Sequence, residues 1–474
     1  MSHVNTNISR RSVIIASGSL ALLAAGCSKS TSGPPITAVA AKGPGPGHYK
    51  MDLGRYTGPE LSTEQITLRL MRQNWNGAAD KIFDAQVAAF QTAYPNISVK
   101  QELVPYGDLS QKLSTSFAAN SAPDIAIGQS ALIPSYVYGQ MAVPVGDFMT
   151  EDFAADMYPD LAQAVSTGGH MYGIPLNYSA TMGILYNKEL FKSAGITPPP
   201  ESTNVQDGWT LDQWFETWDK LRSWMDRTDQ KSMYPIAPSV YGNGGPGSNY
   251  QQVEQTWIRM LGSPDAPKNS DEYKAFAGIS DDGRTVSGYV NNALAVEGMR
   301  NYQTLFTKRW SPTGNQPNMF ESGQAATRFG GIIRPLKFAQ GVTPLPRGKV
   351  MACSNATDTF IVTTQSKHPA EAAALLAALN TVDVLTKWNA VYIHVPAFKS
   401  VTQNLPPEIR TTPDFQLGVA MDNHAYAPPS TPAWAEYNNL MNQAGRNIAL
   451  GADVSKTLND TAASINQQLA KYGK

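Results

Sequence analysis

The chain has 474 residues, 42% hydrophobic and 16% charged, with a formal net charge of −1. That length exceeds one ordinary core and favours two lobes, and the near-neutral balance argues against nucleic acid or a strongly charged partner. Nine tryptophans and twenty tyrosines supply flat faces suited to the apolar sides of sugar rings, although most rings of this kind belong to a core.

The first 27 residues read as a targeting segment outside the fold. Arg10 and Arg11 stand directly before the apolar run 13–25, which resembles a twin-arginine export signal and is shorter than the roughly 20 residues a spanning helix needs. The run ends at Leu22-Leu-Ala-Ala-Gly-Cys27, which looks like a lipoprotein cleavage box with Cys27 as the lipidated residue; an ordinary signal peptide with a chance cysteine is the alternative. Lipidation would leave Cys353 as the only free thiol, excluding an internal disulfide and any cysteine metal cluster. Residues 28–61, with the run KGPGPGH and few large apolar side chains, read as a flexible tether.

Ile66, Leu68 and Leu70 alternate with polar residues as a strand does, and Phe83, Val87, Phe90 and Tyr94 follow at helical spacing before Pro95. A second strand over 97–103 completes a β-α-β unit, the building block of parallel sheets. Ligands sit beyond the carboxyl ends of such strands, so the loop 74–77 is a site candidate. Trp75 is read there as a stacking platform, with a cap on the sheet as the plainer alternative, and Asn76 as a polar contact. Ile125 to Ile127 form a short buried strand, after which Gln129 and Ser130 point to the same rim. Asp124, beside a proline at that strand's start, reads as a backbone cap.

In the stretch 169–196, Met171-Tyr-Gly-Ile-Pro175 suits a turn into extended chain, and 179–186 reads as one buried strand. A short helix from Asn187 closes at Gly195. Asn177 and Tyr178 form a polar, aromatic mouth, and the whole stretch reads as a hinge between lobes. The pattern G-x-x-Y-G-I-P, then Y-N-K-E-L-F, then A-G-I-x-x-P-P, resembles family 1 of the extracellular solute-binding proteins, receptors that feed ABC importers for sugars and related solutes. The similarity extends from about Ile66 to the C-terminus and includes Ala122-Pro-Asp-Ile125.

The resemblance implies an α/β, two-lobed, type II periplasmic-binding-protein-like fold. Its expected divisions are 62–178 with 359–397 for the first lobe and 179–358 with 398–474 for the second. Thr210 and Gln213 make a capping box, and the stripe Trp214, Phe215, Trp218, Leu221, Met225 is assigned to core, as is Trp257. The glycine-rich loop 241–248 lacks the P-loop lysine and reads as a rim carrying Tyr241. Phe320 to Gly331 resembles a family segment in which a helix end and a strand lead to a glycine turn, so that Gly331 backbone approaches the ligand. Ile332 and Ile333 stand where the family often has an aromatic, leaving Arg334 to bond hydroxyls or an acidic group, or else to face solvent. The resemblance makes Asn355 to Thr364 and Val391 to Ala397 the second and third crossings, and Trp434 a ring-stacking position.

The implied function is an importer's substrate-binding lipoprotein that captures a sugar or oligosaccharide in the interlobe cleft. Its partners would be the solute, permease subunits and the membrane through Cys27, on the outer side, with no cofactor, metal or nucleic acid. No zinc-type His-x-x-x-His or Gly-x-Ser-x-Gly signature suggests bond chemistry. The alternatives are an exported polysaccharide-acting enzyme, with Asp124 and Asp358 as its carboxylates, and a solute sensor without an importer. Asp358 is also a ligand-contact candidate.

Overall fold

The computed structural model describes residues 43–472 apart from 46, 181–182, 239–244, 248–249, 251–252, 331–335 and 393; the side chains of 107, 178–180, 354–356 and 422–423 are likewise outside the description. Cys27, Tyr241, Gly331, Arg334 and the side chain of Tyr178 therefore lie outside the described residues.

A first sheet grows from the predicted β-α-β unit. Strand β1 (Ile66–Arg72) buries Ile66, Leu68 and Leu70 on one face and runs parallel to β2 (Ile97–Leu103), with Ile66 opposite Ile97. The helix between them, Gly77–Ala93, buries Ala79, Phe83, Val87 and Phe90, one stripe at 3.6-residue period. On the other side β1 pairs in parallel with β3 (Ile125–Gln129). A small hairpin, β4 (Ser166–Thr167) and β5 (His170–Met171), precedes β6 (Ile174–Pro175), which together with β13 (Asp358–Val362) completes the order β2-β1-β3-β13-β6. Strand β13 is antiparallel to β3 and sets Asp358 opposite Gln129.

The second sheet is built on β8 (Gly183–Asn187), whose every residue is buried because both neighbours and both faces are covered. It lies between β10 (Ala325–Gly330) and β11 (Gln340–Pro344), antiparallel to each, and β9 (Tyr234–Ile236) closes the order β11-β8-β10-β9. Gly183 is required: a Cβ there would stand 2.3 Å from the Thr343 carbonyl oxygen. The helix Leu211–Arg227 starts at the expected capping box and buries Trp214, Trp218, Leu221 and Met225. Trp218 Nε1 donates to Thr327 Oγ1 at 3.1 Å, tying this helix to β10, and Trp257 is buried beside Phe329.

A third set of strands joins the two. Strand β7 (Asn177–Ala180) lies between β14 (Val395–Pro396) and β12 (Cys353–Ala356), with β15 (Ala425–Tyr426) beyond. The chain leaves the first sheet at β6, passes through β7 and enters the second at β8; it returns from β11 through β12 to β13. The expected single strand over 179–186 is thus two, because β7 and β8 pair in different sheets. Direct contacts add to these crossings: Ser135 Oγ donates to the Pro432 carbonyl at 2.7 Å, and the Tyr138 ring meets Tyr472 edge-on at 5.1 Å.

The tether reading fails for the described residues from 43 to 61. Tyr56 is fully buried and Leu53 is 3% exposed. The backbone is held by Thr57 N–H to Phe148 O and Thr150 N–H to Arg55 O, both 2.8 Å, and Arg55 pairs with Asp156 at 3.0 Å. Composition alone undercounted this segment, because Tyr49, Met51, Leu53 and Tyr56 pack against a core that the rest of the chain supplies. Residues 320–324, expected to carry a helix end, form turns before β10.

Candidate site at the carboxyl edge of the first sheet

The strand directions gather polar groups at one edge. Parallel β1 and β3 end there and antiparallel β13 begins there, so Gln73, Gln129, Ser130 and Asp358 become neighbours. Gln73, one residue past β1 and buried, donates from Nε2 to Asp358 Oδ2 at 2.8 Å. Gln129 Nε2 donates to the Tyr106 hydroxyl. Ser130 N–H donates to Thr357 O at 3.0 Å, and the Thr357 hydroxyl donates to the Asn177 carbonyl. Asn177 is 2% exposed, held where β7 begins. Tyr178 pairs through its backbone with Val395. The edge therefore offers the Gln129 amide and the Asp358 carboxyl, both part-exposed, on strand ends, which are stiffer supports than loops, while Gln73, Ser130 and Asn177 are buried and hold them in place.

Asp358 is the electrostatic centre of this set. Burial pushes its carboxyl up to about 7, and the Gln73 hydrogen bond offsets only part of that. Arg72, next to Gln73 in the chain, is committed elsewhere: its guanidinium meets Asp80 at 2.7 Å and Asp84 at 2.9 Å, and its Nε donates to Gln101 at 2.6 Å.

Trp75 is half-buried above this arginine, whose guanidinium carbon lies 5.0 Å from the ring centroid. Its ring meets Trp388 edge-on at 5.3 Å and Phe83 at 5.1 Å, while its buried Nε1 has no hydrogen-bond partner among the described residues. The geometry therefore combines both readings of Trp75, a cap on the sheet with part of its surface still open. Asn76 is spent otherwise than expected. Its Oδ1 accepts from the N–H groups of Ala78 and Ala79 as the N-cap of the 77–93 helix, and its Nδ2 donates to Val391 O at 3.2 Å. Trp434 is also corrected: it is 2% exposed and stacks on Tyr437 at 5.3 Å, so no open ring face remains for a ligand.

Asp124 caps the sheet as expected, its carboxylate accepting from Arg69 N–H at 2.8 Å and from the Ser366 hydroxyl at 2.6 Å. It precedes β3, whereas Asp358 faces the last residue of β3. Five residues of extended strand separate these positions, about 16 Å, beyond the roughly 5–9.5 Å over which paired carboxylates act on a glycosidic bond. Sequence reading missed Gln73, Tyr106 and Thr357. Only Gln73 carried a signal, its place directly after the alternating run of β1.

Two sheets joined by crossings through a third, with a polar rim on one strand edge, define a bilobed α/β solute-binding protein. Residues 74–384 match the bacterial extracellular solute-binding protein family, and the chain belongs to it. A putative binding protein of Brucella abortus is 23% identical over 420 residues, 86% of this chain and 95% of that one. Two solved structures share the two-lobed type II periplasmic-binding fold. An ABC substrate-binding protein of Listeria monocytogenes in complex with cycloalternan has a TM-score of 0.67 at 16% identity, covering 86% of this chain and 100% of that one. The cyclic alpha-maltosyl-1,6-maltose binding protein of Arthrobacter globiformis has 0.66 at 19%, covering 85% and 99%. Membership in this family places the protein outside the cytoplasm. Among the described residues no helix is long and apolar enough to cross a membrane.

Proposed function

We propose that the protein captures a sugar or short oligosaccharide between its lobes, divided as 62–178 with 359–397 and 179–358 with 398–474, and delivers it to an ABC permease. The observation that carries this reading is the pairing of part-exposed Gln129 and Asp358 on one strand edge, backed by buried Gln73, Ser130 and Asn177 and next to a partly open Trp75. Hydroxyl-rich solutes need such a mixture of donors and acceptors, with a ring against their C–H face. The Listeria protein's complex with cycloalternan and the Arthrobacter protein's name as a cyclic alpha-maltosyl-1,6-maltose binding protein support the same solute class.

Closing would require the solute to touch both lobes, because a ligand equally bound by open and closed forms shifts nothing. From the second lobe we assign Tyr241, Gly331 and Arg334 to this task on their sequence positions. The protein makes and breaks no bonds in this scheme; the opposed placement of Asp124 and Asp358 supports binding without catalysis. We further propose export by the twin-arginine route and anchoring through a lipid on Cys27.

Thermal-shift titration with maltose, cellobiose, maltotriose and ribitol tests the solute class. A ligand at 100 times its Kd stabilises by about 2.7 kcal/mol. Trp75→Ala should weaken the response to the sugar that binds while keeping a cooperative melt. Silence towards every sugar and polyol, with a response to amino acids instead, would overturn the carbohydrate reading. Loss of membrane-fraction protein in Cys27→Ser, with the protein recovered in the medium, tests the anchor.

A further inference from the structure

We infer, resting on the cleft reading above, that Asp358 selects a solute bearing a protonated nitrogen, an amino sugar in preference to a neutral one, which it would bind through Oδ1. Oδ2 already accepts from Gln73, whereas Oδ1 has no hydrogen-bond partner among the described residues. No cation pairs with this carboxyl among them either. Behind it, one guanidinium (Arg72) faces two carboxylates (Asp80 and Asp84), so with Asp358 these described first-sheet groups are three acidic against one basic. The remaining polar side chains here, Gln129, Tyr106, Ser130, Thr357 and Asn177, are amides and hydroxyls that bring no compensating positive charge.

Burial pushes this carboxyl up to about 7, so at pH 7 a share of it is ionised with no counter-ion among the described residues. A neutral hydroxyl can donate to Oδ1 but leaves the buried charge uncompensated, whereas an ammonium both donates and neutralises it. Hydrogen bonds between charged partners exceed neutral ones by enough for a preference of about tenfold.

Calorimetric titration at pH 7 with chitobiose, its neutral counterpart cellobiose, and the non-sugar cation spermidine tests this on the intact exported chain. Chitobiose should bind about tenfold more tightly than cellobiose, and Asp358→Asn should bind the two disaccharides alike, with Asp358→Glu recovering part of the preference. The melting temperature of each variant separates lost selectivity from lost folding. If cellobiose binds as well as chitobiose, or Asp358→Asn keeps the preference, the inference is overturned while the sugar-receptor reading stands. Asp358-dependent binding of spermidine with neither disaccharide bound would support cation selection, and the sugar reading would end if maltose, maltotriose and ribitol also fail to bind. Failure of all three ligands would overturn the inference, and the sugar reading would fall with it only if maltose, maltotriose and ribitol are also silent.

Discussion

Replacing Asp358 by asparagine should stabilise the sugar-free protein at alkaline pH and leave it nearly unchanged at acid pH. An unfolded aspartate titrates near 3.9, and the folded carboxyl is pushed up to about 7 by burial. Below about pH 4 both states hold the proton and nothing is lost. Between there and pH 7 the unfolded chain releases its proton while the folded chain keeps it, so stability declines as pH rises, and the loss is complete above 7. A shift of about three pH units corresponds to a ceiling of about 4 kcal/mol, and partial solvent access to the side chain reduces this to about 2 kcal/mol. For a folded body of this size, with an unfolding entropy of about 2 cal/mol/K per residue, that is a change of about 2 °C in Tm. Glu254, buried and also pushed up to about 7, has the same sign, so the wild type should lose stability through both groups and the variant through one. Scanning fluorimetry without ligand at pH 5 and pH 8, at matched ionic strength, reads the difference. Asparagine can still accept from Gln73, so the variant should melt less than about 1 °C above wild type at pH 5, where about a third of the loss has occurred, and about 2 °C above it at pH 8. A variant that melts below wild type by the same margin at both pH values would refute the reasoning, because Asp358 would then be contributing a favourable ionised interaction.

Three further outcomes follow from the packing. Arg72→Met leaves Asp80 and Asp84 facing each other without their cation and should cost about 3–5 kcal/mol in urea unfolding, with Asp80→Asn in the same chain restoring part of the loss. Tyr56→Ala should cost about 3 kcal/mol or more by the same assay, since its ring is fully buried and its hydroxyl donates to Pro59 O at 3.0 Å; a free tether would show no change. Thr210→Ala should cost about 1 kcal/mol through loss of the capping box, without altering ligand affinity in a titration.

Local chemistry was legible wherever a residue's role depends on its near neighbours in the chain. The period of Phe83, Val87 and Phe90, the Thr210–Gln213 capping box, the αL Gly195 that ends its helix and the Asp124 cap all needed only a few residues of context. The order of motifs around 169–196 likewise carried the hinge and the family, since a crossing strand between two sheets has a characteristic run of turn, strand and capped helix. Single side chains fared less well where two roles suit one residue type. Asparagine 76 could contact a ligand or cap a helix, and only the position of the first helical N–H groups selects the cap. Tryptophan 434 could present a face or fill a core, and only Tyr437 beneath it selects the core.

The amino-acid sequence by itself determined most of the elements, several of their caps and the family, because propensity, periodicity and turn chemistry act over distances of a few residues. Tertiary structure alone decided that Gln73 meets Asp358, 285 positions away, that Arg72 is neutralised by the helix following its strand, and that residues near Tyr56 fold instead of trailing. Those outcomes depend on strand order and on which surfaces remain to be covered. Both are properties of the closed sheets and have no counterpart in any short window of the chain.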